Sequence, residues 1–199
     1  MNPRAYQLGK RIDSVAETRR RIVMATYEVH DEKGIADTTF RDIAERADLS
    51  LATVYRHFPT YDAVVEACGE LSRSMLPPLD PAALATVSDV RTRLRLFADS
   101  IGERLELLGD WEWIRSDARK VAPIRKFVAE FHDETCRFAR AALGDDVDDN
   151  TVAVVVALVD AAVYRLLREG GQPPAEVLAD VLGTWLEHRQ PTVSGRGAP

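Results

Sequence analysis

The sequence has too few cysteines and too short an apolar run for several common protein classes. Its 199 residues include two cysteines, Cys68 and Cys136, which cannot build a disulfide framework and suit a reducing compartment. The longest apolar run, residues 152–159, falls far below the roughly 20 residues of a membrane span. The first twenty residues contain no apolar block typical of a secretory signal. We therefore expect a cytoplasmic protein with no membrane partner.

Recognisable catalytic and cofactor-binding motifs are also missing. The sequence contains no glycine-rich phosphate loop, no Gly-x-Ser-x-Gly motif and no His-Glu-x-x-His motif. His132 and Cys136 are spaced to share one face of a helix, but a zinc site there lacks further histidine or cysteine ligands nearby. We expect no enzymatic activity, no cofactor and no metal site.

The composition that is present is that of a globular protein with an uneven distribution of charge. Apolar residues make up 46% of the chain, which is enough to build a core, and the net charge is −6. Residues 1–60 carry a net charge of +1, whereas the remaining 139 residues carry −7. This distribution permits a phosphate-binding amino-terminal end on an acidic body.

Nearly every segment has helical periodicity, and this predicts an all-α fold of about nine helices. Proline-rich residues 77–88 are expected to be a connector and residues 191–199 a disordered tail. Apolar spacing, caps and glycine stops predict helices over 14–33, 40–47, 51–57, 60–75, 90–108, 111–119, from 123 to just before Gly144, 148–169 and 174–189.

Residues 39–58 fit a helix-turn-helix, a pair of short helices of which the second can enter a DNA groove. Thr39 and Ser50 are predicted caps of the two helices, and Asp48 occupies the turn, where a left-handed backbone is wanted. Small residues where the helices approach and apolar anchors that fix their crossing complete the pattern: Ala44, Ala47, Ile43, Leu49 and Val54.

From about residue 18 to 65, this segment resembles the tetracycline-repressor (TetR) family of bacterial regulators. The matching motifs are Gly34, Thr39-x-x-x-Ile43-Ala44, Ala47-Asp48-Leu49-Ser50 and Thr53-Val54-Tyr55-Arg56-His57-Phe58. The family usually has Gly at the position of Asp48, commonly Gly or Pro near Ala52, and commonly Lys at the position of Tyr61. A tyrosine hydroxyl can replace that lysine as a hydrogen-bond donor.

The resemblance implies a ligand-responsive repressor that binds a palindromic double-stranded operator as a homodimer and is released by a small molecule. It implies a DNA-binding domain over 1–59 and a ligand-binding and dimerisation domain over 60–190, in which the ligand moves the helix at 60–75. The residues expected to contact DNA are Thr39, Arg41, Ser50, Leu51, Ala52, Thr53, Tyr55, Arg56, His57 and Tyr61. The alternative is an all-helical small-molecule-binding or enzymatic domain whose helix-turn-helix is only a scaffold.

Further basic residues near the amino terminus have two interpretations. Arg4, Lys10 and Arg11 are candidates for an arm that follows the DNA backbone or minor groove. The run Arg19-Arg20-Arg21 is better interpreted as a solvated helix face.

Two apolar patterns near the carboxyl terminus predict a dimer interface. Residues 152–159 are apolar on all sides, and the last helix repeats adjacent apolar pairs every four residues, a stripe wider than one core-facing side requires. A fully internal helix is the alternative. The predicted interface residues are Val155, Val159, Val177, Leu178, Val181, Leu182 and Trp185.

Polar groups scattered among aromatic residues in the middle of the chain predict a small-molecule pocket, since such pockets are mostly apolar with a few polar groups. Core packing is the alternative for most of these side chains. The predicted lining residues are Phe97, Ile101, Trp113, Phe131, Thr135, Asp160 and Tyr164.

Overall fold

The computed structural model describes residues 3–144 and 146–189, and their side chains from residue 14 onward. Within these ranges the chain forms eleven α-helices and no strand, which confirms the all-α class. The helices are α1 (Pro3–Lys33), α2 (Phe40–Arg46), α3 (Leu51–His57), α4 (Tyr61–Met75), α5 (Pro81–Ala85), α6 (Val90–Leu107), α7 (Trp111–Asp117), α8 (Ala122–Leu143), α9 (Asp149–Leu158), α10 (Ala161–Glu169) and α11 (Pro174–His188).

Some predictions fall outside what the structure describes. The predicted disordered tail at 191–199 and the side chains of Arg4, Lys10 and Arg11 lie outside the described residues.

The described helices number eleven rather than the expected nine because aspartate caps create two additional helix starts. In the expected connector, Asp80 accepts hydrogen bonds from the backbone of Ala82 and Ala83 and begins α5. The apolar segment expected to continue to Glu169 is broken at Val159, and Asp160 accepts from the backbone of Ala162 to begin α10. Local side-chain capping outweighs apolar periodicity at both places.

The ends of the early helices agree with the predicted caps. Thr39 forms a capping box with Asp42, and Ser50 accepts a hydrogen bond from the backbone of Thr53. Asp48 has a φ of 51° in the turn between α2 and α3. Gly34 ends α1 with a φ of 85°. Short-range chemistry therefore fixes the geometry of the helix-turn-helix.

The chain divides into two compact units, each built from two segments. The first unit contains residues 1–77 and 105–133, and the second contains residues 78–104 and 134–199. In the first unit, Ile22 of α1, Ile43 of α2 and Val54 of α3 are fully buried in one cluster. A second cluster of the same unit joins Ile35, in the turn after α1, to Val65 of α4 and to residues of α7 and α8.

The second unit has its own core, built from α6 and the carboxyl-terminal helices. Phe97 of α6 packs against Phe138 of α8 with ring centroids 5.7 Å apart. The hydroxyl of Tyr164 donates to the carbonyl of Ala98, and its ring lies where a side chain at Gly102 would otherwise project. Leu182 of α11 is fully buried.

Among the described residues, no single helix is long and apolar enough to cross a bilayer. The pair α9 and α10 reaches that length and composition only when taken together, and the two helices are bent by 44°.

We expect Gly34→Ala to destabilise the fold more than the same change at Gly144. Both glycines have positive φ, so both substitutions strain the backbone. A Cβ at Gly34 would lie 2.6 Å from the Trp113 ring, whereas one at Gly144 would meet nothing within 4 Å. Urea denaturation should therefore give a free energy of unfolding about 1–3 kcal/mol lower for Gly34→Ala than for Gly144→Ala. Equal losses would contradict the tight packing of Trp113 on this turn.

Candidate nucleic-acid interface

The inner face of the helix-turn-helix is fixed by buried apolar side chains. Ile43, Val54 and Phe58 are inaccessible to solvent, and Ala44 and Ala47 are nearly so. Val54 packs inward as the sequence predicted, and so does Phe58. This packing turns the opposite side of α3 outward.

The outward side of α3 contains most of the predicted DNA-contacting residues. Leu51 is 39% and Tyr55 48% exposed, large fractions for apolar or aromatic side chains, and Ala52 and Arg56 are also exposed. The Tyr55 ring is supported by an edge contact with Phe40, with centroids 4.7 Å apart. The arrangement presents methyl groups, an aromatic ring and a guanidinium on one short helix.

Polar residues at the start of α2 and α3 are partly occupied by capping. The Ser50 and Thr53 hydroxyls are 2.9 Å apart, and Thr53 is half-buried. The Thr39 hydroxyl donates to Asp42, whose carboxylate also pairs with Lys33 at 2.6 Å. These hydrogen bonds, with Lys33 contributing most, lower the pKa of Asp42 to about 2.

Arg41 and Arg56 differ from the other cations of this region. Neither forms a hydrogen bond or ion pair with another described residue, and both are exposed. By contrast, Arg46 pairs with Glu28 and Glu32 of α1 at 3.1 and 2.6 Å. The two unpaired guanidinium groups are thus available to phosphate or a base edge.

The basic run of α1 is exposed, as the sequence predicted, and its arginines also form contacts that the sequence did not predict. Arg20 does pair with Glu17, but Arg19 donates to the backbone carbonyl of His57 at 3.2 Å. Arg19 also lies 4.1 Å over the Phe58 ring, and Arg21 donates to the carbonyl of Ala47. These arginines join α1 to the ends of α2 and α3. Their partners are 26 and 38 residues away, so local sequence gave no signal for them.

His57 is half-buried at the end of α3. Burial, followed by the nearby charges of Arg56 and Arg19, lowers its pKa from the ordinary value. A neutral imidazole can still donate one hydrogen bond to phosphate.

Tyr61 does not occupy the place expected of a phosphate donor. Its hydroxyl donates to the backbone carbonyl of Ile35 and lies 3.0 Å from Nε2 of His30. Burial raises its pKa. The tyrosine that stands where the family commonly has lysine is engaged inside the first unit rather than offered to a ligand outside it.

Tyr61 belongs to a buried polar network that the sequence did not reveal. His30 Nδ1 lies 3.6 Å from the Cys68 thiol, whose pKa is raised to about 12 by burial. Asp117 of α7, only 4% exposed, accepts hydrogen bonds from the backbone of Ile35 at 2.8 Å and Ala36 at 2.9 Å. The turn between α1 and α2 is therefore held by a carboxylate that lies 82 residues away from Ile35 in sequence.

A cavity of about 90 Å³, open to solvent beside the exposed side chains of Asp31 and Trp113, lies next to this network within the first unit. Its walls come from α1, the turn after it, α4, the end of α6, α7 and the start of α8. Of the seven predicted pocket residues, Trp113 lines this cavity.

The other predicted pocket residues have different positions. Phe131 packs on Trp111 in the first unit, with centroids 4.7 Å apart. Phe97, Ile101, Thr135 and Tyr164 are buried in the second unit, and Asp160 caps α10. A pocket formed by this set remains a prediction.

The residues predicted for a dimer interface divide between core and surface. Val155, Val159, Leu178 and Leu182 are already buried within the single chain, whereas Val177 and Trp185 are half-buried. Val181 is 53% exposed. The large apolar side chains that α9–α11 expose are Val154, Leu158, Leu166 and Val181, and most of these were not in the predicted set.

No group of three or more His, Cys, Asp or Glu side chains is arranged to hold a metal ion among the residues that the structure describes. His30 and Cys68 therefore form a hydrogen-bonding pair without the further ligands that zinc requires.

We expect acid to destabilise the protein through His30. Burial lowers its pKa to about 4, against the opposing charge of Asp117, while an unfolded chain binds the proton near the ordinary value of 6.5. Between these two pKa values the unfolded state binds more protons than the folded state. The free energy of unfolding therefore decreases as the pH is lowered, by about 2 kcal/mol from pH 7 to pH 5. Urea denaturation of the wild type and of His30→Gln at both pH values measures this difference.

The matched control is His188→Gln, since His188 is exposed on α11. His30→Gln should be less stable at pH 7 and should lose most of the pH dependence in this window. An unchanged slope in His30→Gln would contradict the assignment.

The chain is similar to known proteins in both sequence and fold. Residues 22–68 match the family model of bacterial regulatory proteins of the tetR family. The HTH-type transcriptional repressor KstR of Mycolicibacterium smegmatis is 28% identical over 183 residues, which cover 87% of this chain and 78% of the relative.

Solved structures agree in fold. The multidrug binding protein EbrR, solved with imidazole, is 26% identical with a TM-score of 0.60 and covers 84% of this chain and 89% of its own. A transcriptional regulator from Saccharomonospora viridis, solved with choline, is 20% identical with a TM-score of 0.58 and covers 87% of this chain and 97% of its own. Members of the matched family are transcriptional regulators and not enzymes, in agreement with the expectation from sequence. The amino-terminal segment with its capped helix-turn-helix thus matches the tetR family of bacterial regulatory proteins, and the whole chain is similar to regulators of this type in sequence and fold.

Proposed function

We propose that the protein is a homodimeric, ligand-responsive repressor that binds a palindromic DNA operator and leaves it when a small molecule binds. The observation that carries this proposal is the outward face of α3. It combines exposed Leu51, Ala52 and Tyr55 with the unpaired Arg56 on a helix whose other side is locked in the core. Methyl groups can pack against the methyl group of thymine, and a guanidinium can donate two hydrogen bonds to O6 and N7 of guanine.

Similar proteins support a role as a ligand-binding repressor. KstR is a repressor by its name, and both EbrR and the Saccharomonospora viridis regulator were solved with small molecules bound. We assign residues 1–59 to DNA binding and residues 60–190 to ligand binding and dimerisation, and we place the protein in the cytoplasm, where bacterial DNA lies.

The proposed DNA contacts comprise two kinds. Arg41, Thr39, His57 and the amino end of α3 at Ser50 face phosphates and set the register, whereas Leu51, Ala52, Thr53 and Arg56 contact base edges. Tyr55 donates its hydroxyl to phosphate. We leave Tyr61 out of the contact set because its hydroxyl is already bonded to Ile35 and His30.

We expect Arg56→Ala to weaken operator binding by about 1–3 kcal/mol and to relax the base preference at one position of each half-site. The operator is first selected from a random DNA pool, and affinities are then measured by fluorescence anisotropy over a range of salt concentrations. Arg95→Ala is the matched control, because it removes the same charge from an exposed residue of α6. If Arg56→Ala binds like the wild type, the assignment of α3 as the recognition helix is wrong.

We propose that the exposed apolar side chains of α9–α11 face a second copy of the chain. Val154, Leu158, Leu166 and Val181 lie on this surface. Pairing two copies around a two-fold axis would place two α3 helices on one duplex and explain a palindromic site.

We expect Val181→Glu to convert the dimer to a monomer, because a buried unpaired carboxylate opposes association. Light scattering at micromolar concentration measures the mass. Val15→Glu is the control, since Val15 is an equally exposed valine on α1, and this variant should remain dimeric. A monomeric wild type, or a dimeric Val181→Glu variant, would rule out this surface.

A further inference from the structure

The cavity of the first unit has walls of one charge sign. Three carboxylates line it, from Asp31 of α1, Asp110 before α7 and Asp117 of α7, and no lysine or arginine is among its described lining residues. Lys33, which precedes the lining residue Gly34, is engaged with Asp42 instead. Since burial keeps His30 neutral near pH 7, the lining carries only negative charge.

The carboxylates are not equally available to a ligand. Asp117 is committed to the backbone of Ile35 and Ala36, and one oxygen of Asp110 accepts from the backbone of Trp113. Asp31 forms no hydrogen bond or ion pair with another described residue. An unpaired carboxylate at the rim of a cavity is suited to attract a cation.

The apolar walls of the cavity add a second recognition element. The rings of Tyr27, Trp113 and Phe127 line it together with aliphatic side chains, and the guanidinium of Arg73 already lies 5.0 Å from the centre of the Phe127 ring. The rings considered for a ligand are therefore those of Tyr27 and Trp113. Aromatic faces attract organic cations, and they also accommodate the hydrocarbon part of such ligands. Metal ions lack this hydrocarbon part, and the described residues offer no cluster of metal ligands.

We propose that this cavity is the effector site of the protein and that its ligand is a small organic cation, held between the Trp113 ring and the carboxylate of Asp31. This inference rests on the proposed function for its regulatory role, whereas binding of the cation itself does not require DNA. It locates the effector in the first unit rather than among Phe97, Ile101 and Tyr164 of the second.

The position of the cavity couples its occupancy to the helix-turn-helix. Trp113 packs on Gly34, and Asp117 holds the backbone of Ile35 and Ala36, so the walls of the cavity also fix the turn between α1 and α2. A ligand that contacts α1, this turn, α4 and α7 together binds differently to each arrangement of these helices. That difference in affinity is what shifts a population of conformations.

The first test measures charge preference with three probes that share a phenyl ring. Benzyltrimethylammonium, benzyl alcohol and phenylacetate are titrated into the DNA-free protein by calorimetry at constant ionic strength. We expect the cation to bind at least about tenfold more tightly than the neutral and anionic probes. Equal binding of the three probes, or preference for phenylacetate, would overturn the proposal.

The second test uses variants of exposed residues that leave the core intact. Asp31→Asn should weaken benzyltrimethylammonium binding by about fivefold or more, and Trp113→Leu should weaken it further. Asp37→Asn is the matched control, because Asp37 is an exposed aspartate outside the cavity. Unchanged binding in both Asp31→Asn and Trp113→Leu would place the site elsewhere.

A separate measurement distinguishes failure of the site from failure of the proposed function. Operator binding is followed by anisotropy without and with benzyltrimethylammonium. Operator binding without any cation binding would overturn the site alone. Cation binding by a protein that fails to bind any selected DNA would overturn the repressor assignment and leave the site standing. Cation binding without release of the operator would overturn the effector role.

Discussion

The arrangement of the first unit depends on one buried carboxylate. Asp117 of α7 accepts the backbone hydrogen bonds of Ile35 and Ala36, donors left over where α1 ends and α2 has not yet begun. Without that carboxylate, the buried backbone N–H of Ile35 would lack a partner, at a cost of about 1–3 kcal/mol, and the half-buried N–H of Ala36 would lose its partner too. The same turn receives Trp113 against Gly34 and the hydroxyl of Tyr61 at Ile35. One side chain from the middle of the sequence thereby positions the helix pair at its beginning.

The helix-turn-helix could be predicted from sequence because its determinants are local. Thr39 and Ser50 cap their helices through hydrogen bonds to residues only three positions further along the chain. Asp48 adopts the left-handed backbone of the turn within the same short segment. Contacts over so few residues can be recognised from the order and spacing of residue types in the sequence. Aspartate caps at Asp80 and Asp160 were overlooked in the sequence. Asp80 begins a helix where a connector was expected, and Asp160 begins a separate helix where one continuous helix was expected.

The buried polar network of the first unit could not be predicted in the same way. His30, Cys68 and Asp117 come from three helices, and each had an ordinary sequence context. Arg19 and Arg21 are exposed as predicted, but their hydrogen bonds to backbone carbonyls could not be predicted, because those carbonyls are 38 and 26 residues away in the chain. Burial also divides the expected interface residues, since Leu178 and Leu182 are buried in the second unit whereas Val181 is exposed. Which face of an apolar helix is buried depends on the helices that pack against it, and the composition of the helix does not reveal which helices those are.

The contact between Trp113 and Gly34 has a practical consequence for observing this protein. An indole ring that is 37% exposed and rests on the backbone of a turn emits light at a wavelength and yield that depend on that turn's position. Trp111 is 7% exposed and Trp185 lies in the second unit, so their emission reports other surroundings. Trp113 is thus an intrinsic fluorescent reporter of the turn between α1 and α2, and changes at that turn can be followed without attaching a dye.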